Sequence, residues 1–295
     1  MNQVMIAASH PHPAPTGPRS GQAVLLLHGL CANPLEMQPL ARVLEKDGYV
    51  VRNPLIAGLG LDAEALRHGF KPGRCEQWLE EADLHLQALR QRHDQVAVAG
   101  LCIGAVLALA LAGRAQVDAL LLISPTLYFD GWNVSPWRRL LPLAYVPLLR
   151  HRMSFAERPP YGVKNERLRR WLQQAMGSQG LSAAGAASLP AASLYEAERL
   201  IRRVKPLLPT LKQPTLVQHA VEDDVASPRS AQLLAERLGR APEIEWYHDS
   251  YHMLTLDNER EAVCARARRF IHEQLPRRSA SLPDTLNSRQ LEVCP

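Results

Sequence analysis

A chain of 295 residues with 46% apolar and 21% charged content has the makings of one large or two small globular domains, and excludes a fibrous or low-complexity protein. A net charge of +5 is too mild to argue for a nucleic-acid partner. Five scattered cysteines without a CxxC pair exclude a cysteine-built metal knuckle or a dense disulfide scaffold.

Residues 1–20 form a Pro- and His-rich arm and residues 277–295 a polar tail, both expected to be disordered. The arm has no basic start followed by an apolar run, so no secretory signal is expected. With the odd, sparse cysteine set, this points to the cytoplasm. "AVLLLHG" (Ala23–Gly29) reads as a strand buried on both faces. "NPLEMQPLARVLEKDG" follows with helical spacing, Pro34 near its start and a glycine at its end. "YVVRNPLI" reads as a second strand. From Cys75 to His93, Leu79, Ala82, Leu86 and Leu89 recur at steps of three and four, an amphipathic helix.

"VAVAGLCIGAVLALALAG" (Val96–Gly113) carries no charge, and its length alone would allow a membrane span. Its pattern argues otherwise. Valine alternates with alanine up to Ala99, helical composition runs from Ile103 to Ala112, and Gly100 and Gly104 mark a sharp reversal between them. A core strand turning directly into a buried helix is apolar throughout without touching lipid. "DALLLIS", "PTLVQHAV" and "EIEWYHDS" supply further strands, with a helix over "SPRSAQLLAERLG" and a last one from about Glu259 to Leu275. Strand alternating with helix predicts an α/β fold with a mostly parallel sheet covered on both faces. The alternation lapses between residues 126 and 206, read as a mostly helical insertion within one domain spanning 21–276. Between Arg138 and Arg170 that insertion holds nine Lys/Arg against two acids, either a solvated helical face or a patch for an acidic partner.

Gly100-Leu101-Cys102-Ile103-Gly104 has the spacing of a nucleophile elbow, with sulfur in place of oxygen. The nucleophile occupies a tight strand-to-helix turn. Its neighbours at minus two and plus two must be small, and the helix beginning at Ile103 directs unpaired N–H groups that favour negative charge. Taken alone, the motif also fits a buried structural cysteine. Its neighbours add weight. "LLLHGL" ends a strand with His28 and Gly29, "VEDDVASP" puts Asp223 and Asp224 past another, and "HDSYHMLTLD" puts His252 past the next. Nucleophile, acid, histidine is the chain order of this type of site.

These stretches, with "LLLHGLCANPLEM" and "GYVVRNPLIAGLG", resemble the α/β-hydrolases over about Ala23 to Leu275, most closely the compact bacterial carboxylesterases and monoacylglycerol-lipase-like enzymes. The resemblance implies Cys102 as nucleophile, His252 as general base and acid, and Asp223, the first of the pair, as orienter of the imidazole. It further implies an oxyanion hole from the N–H groups of Leu30 and Ile103. Two departures stand out: cysteine replaces the usual serine, and "GLG" (Gly58–Gly60) stands where relatives often carry "GHG".

The expected function is hydrolysis of a small-molecule carboxylic ester or thioester through an acyl-Cys intermediate. The alternatives are an acyltransferase or amide-forming enzyme fed by an acyl carrier protein or coenzyme A, and a homologue that binds without turnover. No metal, organic cofactor, nucleic acid or membrane span is expected. His248 and Asp249 read as surface residues and Cys31 as an inert small residue. Trp132, Trp137, Tyr128 and Tyr145 either line an acyl pocket or pack the insertion.

Overall fold

The computed structural model describes residues 21–61, 70–134, 143, 145–179, 181–182, 185–186 and 188–276. The terminal arm and tail, Trp137, Arg138 and Arg139 therefore lie outside the described residues. The chain begins with β1 (Gln22–Leu27), a 3-10 turn over Pro34–Met37, α1 (Gln38–Lys46), β2 (Val50–Arg52) and α2 (Cys75–Arg90). It continues through β3 (Gln95–Leu101), α3 (Ile103–Ala112) and β4 (Ala119–Ile123). Next come α4 (Pro147–Arg150), β5 (Ser154–Ala156), α5 (Glu166–Gln179), β6 (Leu181–Ser182), β7 (Gly185–Ala186), β8 (Ser188–Pro190) and α6 (Ala191–Val204). A 3-10 segment (Lys205–Thr210) then leads to β9 (Thr215–Ala220), α7 (Arg229–Arg237), β10 (Glu243–Tyr247) and α8 (Arg260–Gln274).

Six strands form one sheet in the order β10-β9-β4-β3-β1-β2, with every neighbouring pair parallel. Side chains alternate between its two faces, as the period of two requires. Ala23, Leu25 and Leu27 of β1 join a core with α2, α3 and α6, while Val24 and Leu26 join a core with α1 and α8. Each leucine fully buried in this way contributes about 1.5–3 kcal/mol. The uncharged stretch is β3 running into α3, whose ten residues are all buried. Among the described residues no helix is long and apolar enough to cross a membrane.

Two elements differ from the sequence reading. Only Val50–Arg52 of "YVVRNPLI" pairs, because it is an edge strand and Pro54, two residues on, has no N–H to give a ladder. The insertion holds two small antiparallel pairs, β5 with β8 and β6 with β7, beside its helices. The Gly-, Ser- and Pro-rich "GSQGLSAAGAASLPAAS" cannot sustain a continuous helix.

The elbow glycines are required by close backbone approach. A Cβ on Gly104 would enter the carbonyls of Leu27 and His28, and one on Gly100 would enter the Gly104 carbonyl and the Ala105 nitrogen. These are backbone atoms, which cannot rotate away. Gly104→Ala is therefore expected to lose about 1–3 kcal/mol, lowering Tm by about 3–10 °C. An unchanged Tm by calorimetry would contradict the close approach.

Candidate active site

Cys102 lies at the turn between β3 and α3 with φ 58° and ψ −119°, a conformation a non-glycine residue holds at a cost of about 1–3 kcal/mol. Its N–H donates to the Ile123 carbonyl at 3.0 Å, fixing the turn to β4. The side chain is half-buried, and Thr126 Oγ1 donates to Sγ at 3.4 Å. Ile103 opens the helix, so its N–H has no intrahelical acceptor.

The loops after β9 and β10 bring Asp223 and His252 together. His252 Nδ1 lies 2.8 Å from Asp223 Oδ2 and 3.0 Å from Oδ1. Asp223 Oδ1 also accepts from the N–H groups of Val225 at 2.9 Å and Ala226 at 2.8 Å. Burial alone would raise this carboxyl, but the imidazole and these donors bring it below the ordinary aspartate value, so it stays ionised. Burial would likewise lower His252. The Asp223 carboxylate and the Cys102 sulfur outweigh it and hold the ring well above its usual 6.5. Among the described residues the buried Nε2 makes no hydrogen bond of ordinary geometry, and the Cys102 sulfur contributes to the raised ring.

Asp224 faces elsewhere. It accepts from the backbone N–H of Gly162 at 3.1 Å and of His252 at 3.4 Å. Ser124 Oγ donates to the His252 carbonyl at 2.7 Å. Asp257 accepts from the N–H groups of Lys164 (2.7 Å), Asn165 (2.9 Å) and Tyr251 (2.8 Å). The histidine loop is thus tied to β4 and to residues 162–165.

The turn after β1 shows which N–H is available to a developing oxyanion. His28 Nε2 accepts from the Ile56 N–H at 3.0 Å, so Nδ1 carries the proton and donates to the Gly29 carbonyl at 2.9 Å. Burial keeps this ring neutral by pushing it down to about 4. Gly29 N–H donates to Glu36 Oε1, and Cys31 N–H donates to Leu59 O at 2.8 Å. Between them, the Leu30 N–H has no acceptor among the described residues.

The comparisons with known proteins agree with this architecture. The family model described as serine aminopeptidase, S33 (Hydrolase_4) matches residues 18–260, most of the chain. The chain belongs to the Hydrolase_4 family of α/β-hydrolases. This Hydrolase_4 member is 24% identical over 243 residues to a carboxylesterase of Bacillus subtilis (strain 168), covering 82% of this chain and 89% of that protein. It is 24% identical over 267 residues to a thermostable monoacylglycerol lipase of Bacillus sp. (strain H-257), covering 90% and 95%. Among solved structures, one from the metagenome-derived lipolytic enzymes LipS and LipT superimposes with a TM-score of 0.70 at 24% identity, over 86% of this chain and 95% of that one. A soluble variant of monoglyceride lipase from Saccharomyces cerevisiae does so at 0.71 and 13% identity, over 90% of each. This hydrolase is thus of the carboxylesterase and monoacylglycerol-lipase type.

The other side chains that the sequence of this Hydrolase_4 member singles out make contacts of their own. His248 and Asp249 are exposed. Cys31 is fully buried, and burial pushes its thiol up to about 12. Trp132 is exposed, donates to the Glu222 carbonyl at 2.9 Å and meets the Tyr251 ring edge-on at 5.4 Å. Tyr145 packs on Tyr195, and Tyr128 carries Lys205 and Arg229 over its ring. Part of the basic run is occupied too, since Lys164 pairs with Glu222 at 2.7 Å and Arg169 donates to the carbonyls of Val163 and Lys164. Cys75, Glu76 and Glu196 bring ligand-type atoms within 4.8 Å of one another, but Arg199 and Arg203 already hold their carboxylates, and the group is an ion-pair cluster.

Sequence reading missed Thr126, Glu36 and Glu157. Glu157 follows β5, where burial and the Asp224 charge push its carboxyl up to about 7, against the pull of His252. Glu36 carried a weak signal, an acid set between Leu35 and Met37.

Proposed function

We propose that this protein hydrolyses small-molecule carboxylic esters through a covalent acyl-Cys102 intermediate, with His252 as proton shuttle and Asp223 as its orienter. The observation that carries the reading is the state of the His252 ring. Asp223 occupies Nδ1 from behind, Nε2 is buried, and the Cys102 sulfur acts together with Asp223 to raise the ring. An acid on Nδ1 fixes the tautomer and steadies the imidazolium.

The Cys102 thiolate adds to the ester carbonyl carbon, and the carbonyl electron pair moves onto oxygen between the N–H groups of Leu30 and Ile103. Each such donor contributes about 3–4 kcal/mol in comparable enzymes. Collapse breaks the carbon–oxygen bond of the ester, and the proton on Nε2 passes to the departing alkoxide. Water then gives a proton to Nε2 and its oxygen to the acyl carbon, the carbon–sulfur bond breaks, and acid and thiolate are released. A reactive thiol of this kind suits a reducing compartment, which fits a cytoplasmic enzyme.

A thioester intermediate is also chemically suited to passing its acyl group to an amine or alcohol. Incubation with p-nitrophenyl esters of several chain lengths, followed by intact-protein mass spectrometry, tests both. Hydrolysis predicts sustained turnover with a transient acyl adduct on Cys102. An adduct that persists until an amine or alcohol is added would favour transfer. Neither adduct nor turnover at any chain length would overturn the reading.

A further inference from the structure

Glu36 is a buried carboxyl group in the wall of the site, left out of the chemistry described above. It retains 1% exposure and sits in the 3-10 turn after β1, where Oε1 accepts from the Gly29 N–H. Its place relative to the nucleophile follows from Gly29. A Cβ built there would stand 3.2 Å from Cys102 Cβ, 3.2 Å from Glu36 Oε1 and 3.7 Å from Oε2. Carboxyl and nucleophile therefore flank the same glycine.

The peptide between Gly29 and Leu30 is the one whose N–H would meet the oxyanion. Its carbonyl is held by His28 Nδ1, the N–H before it by Glu36, and the N–H after it by Leu59 O. Cys31 itself holds φ 52°, a conformation uncommon for a non-glycine residue, and its N–H bond to Leu59 helps keep it there. Of the three clamps, Glu36 alone can change charge near neutrality. His28 stays neutral and Leu59 offers a carbonyl.

We propose that Glu36 is a positioning residue of this site: as a neutral carboxylic acid it pins Gly29 and so fixes the Leu30 N–H beside Cys102, and loss of its proton switches the site off by placing a negative charge next to the forming oxyanion. The inference rests on the reading of Cys102 as nucleophile. With Oε1 accepting from Gly29, the acid proton resides on Oε2. Burial pushes this carboxyl up to about 8, against the opposing pulls of the Gly29 N–H and the His252 ring. Among the described residues the titratable neighbours are Cys102 at the elbow, His252 in the loop after β10, and His28 in the same turn, which is neutral over this range. The isosteric amide reproduces the neutral acid, because its oxygen accepts from Gly29 and it has no proton to lose.

The test is the pH profile of kcat/KM for ester hydrolysis in wild type, Glu36→Gln and Glu36→Ala, with Cys102→Ala alongside. Wild type should decline above about pH 8 as Glu36 ionises. Glu36→Gln should remain active at pH 7 while its alkaline decline moves to higher pH than in wild type, because the amide has no proton to lose. Glu36→Ala should lose about tenfold or more at pH 7, because the Gly29 N–H is left unpaired and the turn is released. An unshifted alkaline limb in Glu36→Gln would assign that limb to His252 and overturn the proposal, even if the alanine variant failed to fold. A fully active Glu36→Ala would overturn it as well. Turnover persisting in Cys102→Ala would instead defeat the nucleophile assignment, and this inference with it.

Discussion

Cys102→Ala is expected to reduce ester turnover by about 10⁵- to 10⁶-fold, the loss seen when the nucleophile of a triad is removed. Alanine keeps the β-carbon, so the elbow and its hydrogen bond to Ile123 survive while no atom remains to attack the carbonyl. Cys102→Ser should keep measurable activity, because Thr126, His252 and the N–H groups of Leu30 and Ile103 serve an oxygen nucleophile in the same turn. Steady-state hydrolysis of a p-nitrophenyl ester, corrected for the spontaneous rate, reads both variants. Undiminished activity in the alanine variant would mean that another group attacks.

Asp223→Asn should cost about 10⁴-fold in kcat with little change in fold. The carboxylate can only accept, so it holds the proton of His252 on Nδ1 and leaves Nε2 free to take one from the thiol. An amide can donate to Nδ1 instead, which moves the ring proton to Nε2, where it blocks that transfer. Asp224→Asn is the matched control. Asp224 accepts from the backbone N–H groups of Gly162 and His252 and not from the ring, so its change should act on stability far more than on kcat. Equal losses in kcat at 223 and 224 would refute the assignment of the orienter.

The fold was legible because its signals are local and repeated. Apolar runs at period two and period 3.6, with glycine at the reversal, identify β1, β3, α3 and β4 without reference to anything distant. The elbow was legible for a stricter reason, since Gly100 and Gly104 stand where no side chain fits. Asp223 and Asp224 are adjacent, and composition alone cannot tell which of them faces the ring. The turn after β9 decides it, by directing Val225 and Ala226 N–H onto the first carboxylate. Glu36 escaped notice because its meaning depends on burial, and an acid one position before Met37 reads as an ordinary solvent-facing helix residue. The small strands of the insertion were equally hidden, since two- and three-residue pairings have no period to detect.

The two carboxylates that bind residues 162–165 to the histidine loop carry a consequence for how this enzyme wears out. Asp224 and Asp257 hold the backbone of the histidine loop at Tyr251 and His252 through a handful of contacts to a segment far earlier in the chain. The parallel ladder beneath depends on none of these links. Warming should therefore unpick that small seam first, and the temperature at which the protein stops working will fall below the one at which its sheet comes apart.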